Sequence, residues 1–365
     1  MRVAFVTVGD TDRLTGGYLY NARVLAGLRR EGSEVEEFVV SRASPTEQEE
    51  AASRLGTLFD PRRFDVLVVD ALARVVCAPH LDRWREVRPV VAMVHELPSV
   101  ATPDPKTATR DRELEEPLLR ADCLIAVSDH GSFVLQERGV HAGRIRVVHP
   151  GFDRLSSANA SASAKPTVSD GASVRALCVA QWIPRKGILD LVRAWTACER
   201  PEAMLELIGE TDTDPAYATS VRTAIASAYG ASIEVSGPVD DTALGAAYAA
   251  ADLFVLPSRY EGYGIVYAEA LAHSLPIVAC DVGPVPELVG REAAVLVPPG
   301  DTEALSKVLD LLLEDPTLRS RMSAAARRRT DQLPRWEDTV AGFRRVLEEA
   351  LALRAMRRSR GRIRP

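Results

Sequence analysis

Residues 257–272 read Pro257-Ser258-Arg259-Tyr260-Glu261-Gly262-Tyr263-Gly264-Ile265-Val266-Tyr267-Ala268-Glu269-Ala270-Leu271-Ala272. They follow the apolar run Leu253–Leu256, pass through two glycines and enter a helical pattern. A strand buried on both faces, then a glycine turn, then a helix is the repeating unit of a parallel sheet covered by helices. Ligands of such sheets bind outside the carboxyl ends of the strands. A glycine turn there exposes backbone N–H groups at the positive end of a helix dipole, which suits phosphate. Glu261 and Glu269, eight residues apart, bracket the turn and can accept polyol hydroxyls at different depths of one cleft. The plainer alternative for Glu269 is a surface glutamate. Its neighbours Tyr267, Ala268, Ala270, Leu271 and Ala272 leave little solvated face, and a charge in apolar surroundings is rarely buried without a partner.

The same alternation runs along the chain. Strand candidates in the first half are Val3–Val8, Val35–Val40, Asp65–Asp70, Val90–Val94, Leu124–Ser128 and Ile145–Val148. The second half repeats the series with Val174–Val179, Ala203–Ile208, Ser232–Val235, Leu253–Leu256, Pro276–Ala279 and Ala294–Val297. Amphipathic stretches such as Gly17–Glu31, Ile188–Thr196, Leu244–Ala251 and Glu303–Leu313 lie between them. Two series predict two doubly wound α/β domains, which suits a chain of 365 residues. Ser156–Ser173, SSANASASAKPTVSDGAS, is small, polar and aperiodic, as a linker is. The expected division is a first domain over 1–155, a hinge over 156–173, a second domain over 174–335, a helix over 336–353 and a basic tail over 354–365. A like-charge tail is expected to be a solvated, frayed end, with attraction to an anionic membrane surface as its alternative.

Composition removes several classes. Apolar residues make up 46% and charged residues 26%, which is ordinary for a folded soluble domain. No apolar run approaches the roughly twenty residues of a membrane span. MRVAFVTVGD lacks the apolar stretch and cleavage site of a signal peptide, so a cytoplasmic location, peripheral to the membrane at most, is the expectation. The net charge of −6 argues against a general nucleic-acid binder. Cys77, Cys123, Cys178, Cys198 and Cys280 are scattered and form no C-x-x-C pair, against a disulfide framework or zinc site. Of 45 lysines and arginines only Lys106, Lys165, Lys186 and Lys307 are lysine. Lys186 stands out because it follows a strand, where an ammonium partners a diphosphate well.

EGYGIVYAEA, with its Glu261…Glu269 spacing, resembles the donor-site signature of the retaining GT-B glycosyltransferases of family 4. Gln181-Trp182-Ile183-Pro184-Arg185-Lys186-Gly187 falls where that family has G-R…K-G. Leu207-Ile208-Gly209-Glu210 resembles its strand-end acid, and Val235-Ser236-Gly237-Pro238-Val239 its F-x-G-x-V loop. Pro276–Ala279 with Gly283–Val289 resembles its P-V-V-A…G-G-x-P-E-L-V segment. Thr15-Gly16-Gly17, Val94-His95-Glu96 and Pro150-Gly151-Phe152-Asp153 fall at its glycine loop, strand-end histidine and crossover.

The resemblance implies two Rossmann-like domains facing a cleft, with transfer of a sugar from a nucleotide-sugar donor, UDP favoured and GDP the alternative. It implies an acceptor of unidentified type, whether small molecule, glycan or lipid-linked, and no cofactor or metal. Glu261, Lys186 and His95 would be the catalytic set. Gly16, Gly17, Gln181, Arg185, Lys186, Gly237, Tyr263, Gly264, Ile265, Val266 and Glu269 would bind the donor. Gly17 would give its N–H to phosphate, residues 264–266 would hold sugar hydroxyls through backbone groups, and Glu269 would accept from ribose. Gln181 departs from the family, which has arginine there, so the diphosphate cation falls to Lys186, with Arg185 beside it. His95 also has the plainer reading of a satisfied strand-end residue. Asp10–Thr15, Arg62-Arg63 and His95–Lys106 are expected to hold the acceptor, and the helix from Trp336 to return to the first domain. The alternatives are a nucleotide-sugar epimerase, a non-catalytic nucleotide-sugar binder and an oxidoreductase. The last lacks a G-x-G-x-x-G after Val3–Val8.

Overall fold

The structure is a computed structural model that describes residues 1–9, 16–40, 45–102, 104–152 and 173–361. The hinge expected over 156–173 lies outside these residues except for Ser173, as do Asp10–Thr15, Asp153 and the end of the basic tail. Two compact units are present, one comprising Met1–Gly151 with Pro334–Pro365, the other Phe152–Leu333.

In the first unit the strands are β1 (Arg2–Val8), β2 (Glu34–Val40), β3 (Val66–Asp70), β4 (Val90–Val94), β5 (Cys123–Ala126) and β6 (Ile145–Val147). Its longer helices are α1 (Gly16–Arg30), α2 (Pro45–Leu58), α3 (Leu81–Val87), α4 (Pro105–Leu119) and α5 (Asp129–Glu137). All pairings are parallel, in the order β2-β1-β3-β4-β5-β6. Every residue of β3, β4 and β5 is buried, which is why VLVVD and VVAMV show no alternation. β2, EVEEFVV, lies at the edge with three glutamates, a pattern that blunts unwanted strand pairing.

The second unit holds β7 (Arg175–Val179), α6 (Ile188–Ala197), β8 (Met204–Ile208), α7 (Pro215–Ala226), β9 (Ser232–Gly237), α8 (Asp241–Ala250), β10 (Leu253–Leu256), α9 (Ile265–Ala272), β11 (Ile277–Cys280), β12 (Ala294–Val297), α10 (Thr302–Glu314) and α11 (Pro316–Thr330). Its strands are again all parallel, in the order β12-β11-β10-β7-β8-β9. The chain therefore builds outward from β7 to β9, then returns to lay β10 along the other edge of β7. The loops after β7 and β10 emerge side by side at that reversal, the place where doubly wound sheets bind ligands. In the first sheet the equivalent reversal falls between β1 and β3.

After Leu333 the chain rejoins the first unit as α12 (Trp336–Gly361), packed along α1. The sequence reading ended this helix at 353 and left a frayed tail. Instead the helix continues to Gly361, because Ala, Leu, Met and Arg are good helix formers and no Gly or Pro intervenes. Arg354 also donates to the Arg85 and Glu86 carbonyls, and Arg357 pairs with Asp122 at 3.1 Å. A second correction concerns Arg62-Arg63. They sit in a turn just before β3, at the amino ends of the strands, opposite to the end that carries His95. Arg63 pairs with Glu36 there.

The α1–α12 contact leaves no room for a side chain at Gly27, where a Cβ would lie 2.3 Å from a methyl of buried Val340. Gly27→Ala should therefore lower stability by about 1–3 kcal/mol, against the usual gain of alanine in a helix. Urea unfolding checks this, and adding Val340→Ala should restore part of the loss.

Candidate functional site

The reversal of the second sheet is closed by two loops that touch. Gly187 ends the short turn Pro184–Lys186 at φ +68°, and a Cβ there would lie 2.2 Å from the carbonyl oxygen of Pro257. Only glycine satisfies both the left-handed backbone and this approach. The Arg259 N–H donates to the Arg185 carbonyl at 2.7 Å, and Arg185 donates to the Tyr260 carbonyl. Arg259 in turn holds the carboxylate of Asp190 at 2.8 Å on α6.

Across this junction Lys186 Nζ donates to Glu261 Oε1 at 2.7 Å. Both side chains are largely removed from solvent. Burial pushes the Glu261 carboxyl up, but the Lys186 and Arg185 cations outweigh it and hold it below the ordinary carboxylate range. Two residues expected to act separately thus form one ion pair. Arg185, next to Lys186 in sequence, acts on the same carboxylate because the chain turns tightly through 184–186. One of the three Lys186 N–H donors is committed to Glu261 among the described residues. The other two suit a phosphate.

Glu269 is placed differently. α9 begins only at Ile265, so Glu269 lies about one turn inside it, apart from the ion pair. It is half-buried and accepts the hydroxyl of buried Tyr248 at 2.9 Å. Burial pushes its carboxyl up to about 7, opposed by the Tyr248 hydrogen bond, with Asp241 adding to the rise. Gly264 precedes the helix at φ +96°, where a Cβ would strike the Tyr267 ring at 2.5 Å. The first N–H groups of α9, at Ile265 and Val266, belong to the set that a helix leaves unpaired at its start. Tyr263 packs against the domain core, and burial pushes its phenol up to about 12. Gly237 ends β9 at φ +65°. Gln181 does not join the ion pair: it donates to Glu210 at 2.6 Å at the end of β8.

In the first unit the carboxyl ends of β1, β3 and β4 bring together Thr7, Asp70 and His95 around the opening turn of α1. The His95 ring lies 3.5 Å from where a Gly17 Cβ would be, ordinary contact, so packing alone does not demand glycine there. His95 Nε2 meets Asn21 Oδ1 at 3.0 Å, and its ring packs edge-on to Tyr20. Burial lowers the His95 imidazole below its usual range, although Asp70 and Glu96 pull it upward. Gly16 opens α1, while Thr15 lies outside the described residues. The stretch after His95 is pinned by fully buried Glu115 of α4, which accepts the Ser99 N–H at 2.9 Å and is paired with Arg138. All five cysteines are free and buried. Among the described residues no helix is long and apolar enough to cross a membrane, and no group of three His, Cys, Asp or Glu side chains could hold a metal.

Sequence reasoning missed Tyr248, Asn21 and Asp70. Asp70 left a signal, as the one charge ending the apolar run Val66–Val69. Tyr248 left none, since nothing in its spacing ties it to Glu269.

Two doubly wound parallel sheets, each with its chemistry at the carboxyl ends of the strands, define the GT-B class. Sucrose-phosphate synthase from Thermosynechococcus elongatus shares this fold with a TM-score of 0.81 over 96% of this chain and 99% of its own, at 21% identity. The family description "Glycosyl transferases group 1" matches residues 162–329, and "Glycosyltransferase Family 4" matches 24–154. The chain belongs to the group 1/family 4 glycosyltransferases. It is similar to MMP alpha-(1->4)-mannosyltransferase of Mycolicibacterium hassiacum, 34% identical over 47% of this chain and 41% of the relative. It also resembles the GDP-mannose-dependent monoacylated alpha-(1-6)-phosphatidylinositol monomannoside mannosyltransferase of Corynebacterium glutamicum, 32% identical over 44% of this chain and 43% of the relative. The matched stretch spans less than half the length of either relative.

The two glutamates predict opposite pH behaviour. Glu261, with its carboxyl lowered, contributes stability that is complete above the ordinary carboxylate range and lost as pH falls through its folded value. Glu269, with its carboxyl raised, binds its proton more tightly when folded, so stability falls as pH rises towards 7. Glu269→Gln should therefore match the parent near pH 4 and exceed it above pH 7 by on the order of 2 kcal/mol, allowing for partial exposure. Calorimetric Tm against pH measures this. Lys186→Ala strands a buried carboxylate and should lower stability by about 3–5 kcal/mol, with Glu261→Gln added to it recovering most of the loss.

Proposed function

We propose that the protein is a glycosyltransferase that moves a sugar from a nucleotide-sugar donor to an acceptor hydroxyl with retention and without a metal. The observation that carries this is the Lys186–Glu261 ion pair at the β7/β10 reversal, with Arg185 beside it and the N-terminus of α9 adjoining. Family membership supports the reaction class.

In this reading Lys186 uses its two remaining N–H donors on the donor diphosphate, and Arg185 adds charge nearby. The leaving nucleoside diphosphate gains negative charge in the transition state, so fixed cations stabilise that state more than the ground state. Ile265 and Val266 N–H groups and Gly264 hold sugar and phosphate oxygens at the start of α9. Glu261, ionised and held by Lys186, accepts a sugar hydroxyl. Glu269 accepts the ribose hydroxyls when ionised, with Tyr248 orienting its carboxyl group. Gly16 and Gly17 offer N–H groups at the start of α1 to phosphate, and His95 contacts the sugar. Gln181 is held by Glu210, so it orients the loop after β7 and supplies no charge of its own.

Retention follows in this reading from a front-face course, in which the departing phosphate oxygen takes the acceptor proton. Glu261 is a poor nucleophile in that scheme because its carboxylate is committed to Lys186. The acceptor belongs to the loops of the first unit around 95–106, and its chemistry is a small molecule, glycan or lipid-linked hydroxyl. UDP and GDP sugars are the two donors to compare, the latter because the corynebacterial relative is named as GDP-mannose-dependent.

The first test is a thermal-shift and hydrolysis screen of UDP and GDP with their sugars, followed by product analysis with candidate acceptors. Transfer with retained anomeric configuration, unaffected by EDTA, is expected. Release of an epimer without acceptor, or nucleotide binding with neither transfer nor hydrolysis, would overturn the reading. Glu261→Gln should lower Tm by leaving Lys186 unpaired and, assayed at a temperature where it is fully folded, should lower turnover more than tenfold. No covalent glycosyl adduct on Glu261 should be trapped by mass spectrometry. Gly17→Ala, which the packing tolerates, should leave stability within about 1 kcal/mol while turnover falls at least tenfold.

A further inference from the structure

The reversal of the first sheet holds, behind His95, buried polar residues that the donor-site reading does not use. Asp70, fully buried at the end of β3, accepts Thr7 Oγ1 at 3.0 Å and Asn21 Nδ2 at 2.7 Å on one oxygen, and the Leu72 N–H at 2.9 Å on the other. Three donors converge on it, as they would on a carboxylate. Asn21, 5% exposed on α1, must turn its NH2 group towards that acceptor. Its carbonyl oxygen is then the atom presented to His95 Nε2, 3.0 Å away. A carbonyl oxygen only accepts, so the proton of a neutral imidazole has to sit on Nε2. Among the described residues Nδ1 makes no hydrogen bond, and its lone pair stays available. Tyr20 packs edge-on to the ring with centroids 5.3 Å apart, and Tyr20 is itself tied to the Val148 carbonyl, which limits ring rotation.

We infer that Asn21 and Asp70 are positioning residues that lock His95 in the Nε2–H tautomer, so that Nδ1 acts as a fixed acceptor for a substrate hydroxyl. The chain runs Asp70 carboxylate, Asn21 amide, His95 imidazole, with every donor and acceptor role set by the carboxylate at its buried end. A side chain held this way takes an O–H donor and disfavours an oxyanion or carbonyl, which would meet a lone pair. Without Asn21 the ring would be a mixture of tautomers and would lose part of that selectivity. The involvement of a substrate hydroxyl rests on the glycosyltransferase reading above; the tautomer does not.

The decisive measurement is a long-range 1H–15N spectrum of the full chain labelled with 15N-histidine, at pH 7.5, with the His95 signals assigned by their loss in His95→Gln. The parent should show a single neutral Nε2–H form. An Nδ1–H form or an imidazolium there would overturn the inference. Asn21→Leu, which keeps the volume and removes both hydrogen bonds, should show a tautomer mixture; a ring still wholly Nε2–H would also overturn it. Should Asn21→Leu fail to fold, Asp70→Asn is read by the same criterion, since it frees the Asn21 amide to flip. In kinetics, Asn21→Leu should lower kcat/KM for the sugar donor more than tenfold while the Kd for the nucleoside diphosphate stays within twofold. An equal loss in both would mark a merely structural role and sink the proposal. A locked tautomer in a chain that transfers no sugar would fault the proposed reaction and leave the positioning role standing.

Discussion

The second unit depends on the close approach of two loops at the point where its sheet reverses direction. Gly187 sits against the Pro257 carbonyl because no side chain fits between them, and that contact sets Lys186 beside Glu261. An ion pair removed from water is weak evidence for stability in itself, since desolvation offsets much of the attraction. Here Arg185 acts on the same carboxylate as Lys186, so two cations face one anion at the junction. A site of that kind is suited to an anionic ligand that brings charge to share.

The two glutamates of the E-x7-E stretch show how environment separates groups of one chemical type. Glu261 faces two cations and stays ionised, while Glu269 faces a tyrosine hydroxyl in apolar surroundings and holds its proton to about pH 7. Neighbouring carboxylates pushed in opposite directions commonly take different roles in a site. In the first unit the same topological position holds a buried carboxylate among the described residues. Asp70 at its buried end sets the hydrogen-bond roles of Asn21 and His95 in turn, a relay of polarity across one sheet end.

Much of the fold was legible in the residues. Runs such as Val66–Val69 and Leu253–Leu256 announce central strands because both faces are buried and no alternation remains. The basic end of α12 was misread because like charges suggest solvation, whereas Arg354 and Arg357 find carbonyls and Asp122 on the first unit. Arg62-Arg63 were misplaced although they directly precede the β3 run, which in a parallel sheet puts them at the amino ends of the strands.

The sequence by itself determined the alternation of strands and helices, the glycine turns and the spacing of Glu261 and Glu269, since these depend on local backbone geometry and periodic burial. It also singled out Lys186 as a lysine in an arginine-rich chain. Only the tertiary structure decided that Lys186 pairs with Glu261, that Gln181 turns to Glu210, and that Tyr248 and Asn21 take part. Each of those contacts joins residues from 21 to 75 positions apart. Their meeting is set by the order of strands in the sheet, and strand order is a property of long-range packing that no local pattern encodes.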